Sequence, residues 1–111
     1  MANSLKGALK DAKEILVCIQ DFEKGQGGFL NTYLLQKESI TIYNNSGDTV
    51  AIQIDKDMFT DGGGCDLEPG ETDGWGRSGP TNVLVNGKSA GNLAPGSKYV
   101  VEPGGEVVKV A

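Results

Sequence analysis

Apolar positions divide the chain into two parts with different periods. Leu5, Ala8, Leu9, Ala12, Ile15, Leu16, Ile19 and Phe22 recur at steps of three and four. That spacing predicts an amphipathic helix over residues 1–24. Asn3 or Ser4 is placed to cap its start, and Lys10 and Glu14 stand four apart on the polar side. The stretch EILVCIQDF is also dense enough in Ile, Val and Cys to form a strand, but the helical period is already set upstream. Gly25–Gly28, the run GQGG, is expected to end the element, and FLNTYLLQKES fits either a helical turn or a strand.

From Ser39 onward the runs shorten and become β-rich. SITIY and TVAIQI are separated by the turn-rich residues 44–48, which reads as a hairpin. TNVLV and KSAGNL flank Asn86-Gly87, the strongest short hairpin signal, because both central residues tolerate positive φ. SKYVV and GEVVKV make two further short strands. Pro-Gly pairs at 69–70, 95–96 and 103–104 predict type II corners where strands reverse or change sheet. Short strands with frequent turns argue for a mostly β fold: a small antiparallel β-sandwich over 39–111, or a barrel, with one N-terminal helix. The helix is expected to cover one face of the sheets. A helix that detaches to lie in a membrane interface is the alternative.

Length and charge narrow the function classes. At 111 residues the chain is expected to be one domain, 1–111, able to bury a real core. Its net charge of -5 disfavours nucleic acid, which needs clustered Lys and Arg. No apolar run is long enough to span a bilayer and no secretory leader is evident, so the expectation is a cytoplasmic chain with two thiols, Cys18 and Cys65. Asn44-Asn45-Ser46 matches a glycosylation sequon, which has no meaning in that setting.

Candidate chemistry is sparse. Histidine is absent, which removes the commonest general base and the usual zinc ligand. VNGKSAG resembles the end of a phosphate-binding loop, but Asn82 stands where its first Gly is needed. No enzyme is expected. Acidic residues are concentrated: Asp55 to Asp73 holds seven acids and one Lys, so all of the net negative charge lies there. Asp55, Asp57, Asp61 and Asp66 are candidate Ca²⁺ ligands, although Phe59 and Thr60 occupy positions where a calcium loop carries an acid and a Gly. A solvated, charged loop is the plainer reading.

GWGRS holds the chain's only Trp and only Arg. On an extended segment Trp75 and Arg77 share a side, and an indole beside a guanidinium suits a sugar ring or a choline-like cation. The expected site is Trp75, Arg77 and Ser78 with Asn82, set at an outer rim and serving a lipid headgroup or a glycan. Tyr33, Tyr43 and Tyr99 are further candidates. The alternative is a core Trp75 with Arg77 paired to a nearby acid.

IYNNSGDTVAIQI, then LEPGE, then GRSG, then VNGKSAG follow in an order that resembles the aegerolysins over residues 40–92. Those are small acidic β-sandwich proteins that bind membrane lipids. The resemblance implies a non-enzymatic binder of a neutral or zwitterionic surface, with Gly76-Arg77-Ser78 at the site. The alternative function is a calcium-binding or self-assembling interaction protein that uses the acidic loop 55–73. Open strand edges would allow a homo-oligomer.

Overall fold

The computed structural model describes residues 10–33, 38–56 and 61–111. Within them one helix, α1 (Ala12–Tyr33), precedes eight strands: β1 (Glu38–Asn44), β2 (Val50–Ile54), β3 (Gly63–Leu67), β4 (Thr72–Arg77), β5 (Thr81–Val85), β6 (Lys88–Leu93), β7 (Lys98–Val101) and β8 (Val107–Lys109). They form two four-stranded sheets, β4-β1-β7-β8 and β3-β2-β5-β6. The β-sandwich expectation holds. Pairing is antiparallel except for β1 with β7.

Strand alternation builds two cores. Ile40 and Ile42 of β1 meet Val50, Ile52, Ile54, Leu67, Val83, Val85, Leu93, Tyr99 and Val101 between the sheets. The opposite face of β1 is buried as well, because Tyr43 and Val100 pack with Ile15 and Ile19 of α1. The β4-β1-β7-β8 sheet is therefore a middle layer between the helix and the second sheet. Ile15 and Ile19 are almost fully buried, each contributing roughly 1.5–3 kcal/mol of apolar transfer. The helix packs on the sheet.

Its start differs from the expectation. Asn3, Ser4 and Gly7 lie outside the described residues. The helix is capped at Asp11, whose Oδ1 accepts the Glu14 N–H at 2.9 Å while Glu14 Oε1 accepts the Asp11 N–H at 3.1 Å. This is a reciprocal capping box. The helix also continues through Gly25–Gly28 to Tyr33. A glycine costs a helix about 1 kcal/mol relative to alanine, so the three here weaken the helix without ending it.

β1 and β2 do not form the expected hairpin. They belong to different sheets, and residues 44–48 arch between them. A buried amide holds the arch. Asn44 Nδ2 donates to Asp48 O at 2.7 Å and to Leu67 O at 2.8 Å, and Asn44 Oδ1 accepts the Ser46 N–H at 2.9 Å. Asn45 Oδ1 accepts the Lys10 N–H and its Nδ2 donates to Lys10 O, which fastens the chain ahead of the helix. Asn44 is wholly buried, so the sequon's amide faces the interior.

The other corners follow local chemistry. Asn86 (φ 52°) and Gly87 (φ 83°) make the β5–β6 turn. The Pro69-Gly70 and Pro95-Gly96 turns change sheet, whereas Pro103-Gly104 reverses β7 into β8. Each closes with an N–H to the carbonyl three residues back: Glu71 to Glu68, Ser97 to Ala94 and Gly105 to Glu102.

Candidate functional site

Trp75 and Arg77 do share a side of β4, but that side faces inward. Trp75 is half-buried and packs against the core between the sheets. Arg77 is 2% exposed, so its expected place on an outer rim is corrected. Its guanidinium is satisfied by main-chain oxygens. Nε and Nη2 donate to Asp55 O at 3.2 and 3.1 Å, Nη2 donates to Asp61 O at 3.0 Å, and Nη1 donates to Gly76 O at 2.8 Å. A planar five-donor fork suits carbonyls arriving from different directions. Asp55 follows β2 and Asp61 precedes β3, so one side chain ties the chain on both sides of the β2–β3 connection to the opposite sheet.

A second cross-link lies on the same flank. The Cys65 thiol donates to Asp73 Oδ2 at 3.3 Å, and Asp73 Oδ1 accepts the Gly74 N–H at 2.8 Å. Burial pushes the Cys65 thiol up to about 12, helped by its hydrogen bond to Asp73 and by the charges of Asp73, Asp66 and Glu71. A thiol that stays protonated at neutral pH is a poor nucleophile. Cys18 and Cys65 are both free. Burial beneath the helix likewise raises the Tyr43 hydroxyl to about 12, with Cys18 and Glu14 adding to it.

The remaining expected residues do not gather around Trp75. Ser78 is exposed just beyond β4. Asn82 sits on the outer face of the other sheet, where its Oδ1 accepts the Ser89 hydroxyl at 2.6 Å. Tyr43 and Tyr99 belong to the two cores, and the Tyr99 hydroxyl accepts the Ala94 N–H at 2.8 Å. The Tyr33 side chain and Asp57 lie outside the described residues. Among the described residues no three Asp, Glu or Cys side chains converge to hold a metal ion.

What the fold does build is a concavity of about 790 Å³ along β2 and β3, lined by Gln53, Asp55, Lys56, Gly62–Gly64 and Asp66 among others. It is a shallow hollow open to solvent, not an enclosed pocket. Gly64 is required there, since a Cβ would stand 2.8 Å from Ile52 O. The acidic segment that borders this surface, with Asp55 and Asp66 in it, was legible in the sequence; the concavity itself was not, because it depends on which strands pair.

The architecture defines a two-sheet β-sandwich backed by a helix. Comparison with family models, with curated proteins and with solved structures finds no match to this chain. No helix among the described residues is long and apolar enough to cross a membrane.

Proposed function

We propose that this is a non-enzymatic interaction protein and that the acidic segment 55–73 carries its docking surface. The observation that carries the reading is the Arg77 staple. Burying a guanidinium costs several kcal/mol before its hydrogen bonds are counted. Here that cost fixes both ends of a surface loop and holds the acidic rim of the concavity in one shape. Pre-organisation of that kind lowers the cost of binding. Asp55, Asp61, Asp66 and Glu68 are all exposed, and the negative field they share favours a cationic partner. The Trp75–Arg77 pair serves this surface from behind and does not itself meet a ligand.

Amide chemical-shift titration of the full chain with three probes tests the reading: a short oligolysine, phosphatidylcholine vesicles and a neutral oligosaccharide. The expected result is movement of residues 55–56 and 61–68 with oligolysine only, weakening as salt is added. Movement of Gly74–Ser78 with vesicles or the oligosaccharide would return the function to a lipid or glycan site. Silence towards all three probes also overturns the proposal.

A further inference from the structure

We infer that the edge of β3 is an open docking strand that takes an extended, lysine- or arginine-bearing segment of a partner protein as a fifth strand of its sheet. The inference rests on the acidic segment being the docking surface, and it adds the mode of binding and the class of partner.

Register decides which main-chain groups face outward. Asp55 N–H bonds Asn82 O, and Asn86 N–H bonds Ala51 O. With the β2–β5 register, these contacts direct the main-chain groups of Ala51, Gln53 and Asp55 towards β5. Those of Val50, Ile52 and Ile54 therefore point to β3, opposite Leu67, Cys65 and Gly63. The alternation leaves the N–H and C=O of Gly64 and Asp66 on the free edge of the sheet. Among the described residues they have no hydrogen-bond partner.

The other three edges are each blunted in part. On β4 the same counting starts from Asn44 N–H to Glu71 O and turns Gly74 and Gly76 outward. Gly74 N–H is already bonded to Asp73 Oδ1, and Gly76 C=O already accepts Arg77 Nη1. The β5–β6 register shifts between Asn82 and Leu84, and on β6 the Gly91 N–H is taken by Ser89 Oγ at 3.1 Å. β8 is only three residues long. Self-capping, register breaks and short strands are ways in which proteins stop unwanted edge pairing. β3 carries none of them.

Charge selects the occupant. Asp66 lies on β3 itself, and Asp61 and Glu68 are exposed at its two ends. A second copy pairing here would bring Asp61, Asp66 and Glu68 of both copies along one shared edge, like charge against like, which is repulsive. A cationic strand meets the opposite sign. The concavity beside Gly62–Asp66 gives room for every second side chain of the added strand, and main-chain hydrogen bonds to Gly64 and Asp66 give register.

The test uses a capped pentapeptide alternating lysine and valine, with two N-methylated versions, one blocked on each edge of the extended peptide. The expected result is binding that slows amide exchange at Gly64 and Asp66. Methylation on one edge should weaken binding about tenfold, and methylation on the other should leave it unchanged, as loss of one or two main-chain hydrogen bonds requires. Asp66→Ala should weaken all three peptides alike. Equal binding of all three with no protection of Gly64 or Asp66 would overturn strand addition and leave the acidic docking surface standing. Failure of the peptide to bind would remove both. Protection of Gly64 and Asp66 in the free protein at concentrations where it sediments as a dimer would assign the edge to a second copy and overturn the proposal.

Discussion

Replacing Arg77 with Met keeps most of the stem's volume and removes the charge and all four hydrogen bonds. Two opposing effects then decide the outcome. The variant no longer desolvates a guanidinium, which by itself is stabilising. It also strips donors from the carbonyls of Asp55, Asp61 and Gly76. A hydrogen bond to a charged group contributes about 1.5–3 kcal/mol net. Asp55 and Asp61 are exposed, so water partly replaces their lost donors, whereas Gly76 is half-buried. The contacts share one fork and do not add. We expect a net loss of about 3 kcal/mol, which for a domain of this size lowers Tm by roughly 15 °C. Arg77→Lys keeps the charge without the fork and should lose about half as much. Urea denaturation gives the stability, and amide exchange over Asp55–Lys56 and Asp61–Gly62 shows whether the loop ends are released. A Met variant within about 1 kcal/mol of the parent, with unchanged exchange there, would mean that desolvation and hydrogen bonding cancel. The staple would then not be what holds the loop.

Three further outcomes follow from the fold. Ile19→Ala, at a site with 0% exposure, should cost about 2–5 kcal/mol and expose the amides of the first turns of α1; a loss under about 0.5 kcal/mol would mean that the helix is not docked. Asn44→Ala should cost about 2–4 kcal/mol, because it leaves the Ser46 N–H without its acceptor and takes the side-chain donor from Leu67 O and Asp48 O in a buried arch, and this is read in the same denaturation assay. The folded protein raises Cys65 from 9.0 to about 12 and Tyr43 from 10.0 to about 12, so it favours their neutral forms. Their contribution is whole below about pH 9 and is lost as pH rises towards 12. The urea midpoint should therefore fall over that window, and Asp73→Asn should speed Cys65 alkylation at pH 8.

Local rules made much of the fold legible, and non-local ones hid the rest. Asn86-Gly87 and the three Pro-Gly corners could be read directly, because each turn's geometry is set by its own two residues. Residues 44–48 could not, since a turn-rich linker suits a hairpin or an arch equally. What chose the arch was Asn44 reaching Leu67, a contact far along the chain. The period of the helix is readable, and so is the cap signal at Asp11-x-x-Glu14, since both residues of a capping box lie within one turn. Arg77 was misplaced because its partners are carbonyls, which every residue has and no pattern marks. The acidic segment was visible as a block, but the open edge within it depended on strand register.

The parallel pairing of β1 with β7 sets Thr41 beside Lys98, and on its other edge Thr41 faces Gly74. β1, one of the two inner strands of the middle layer, thus finds neither neighbour nearby in the chain. As synthesis proceeds, the β5–β6 turn can close within microseconds of emerging, while Ile40 and Ile42 wait for residues made much later. Long-range closure of this sort slows folding and prolongs the interval in which apolar strands are open to aggregation.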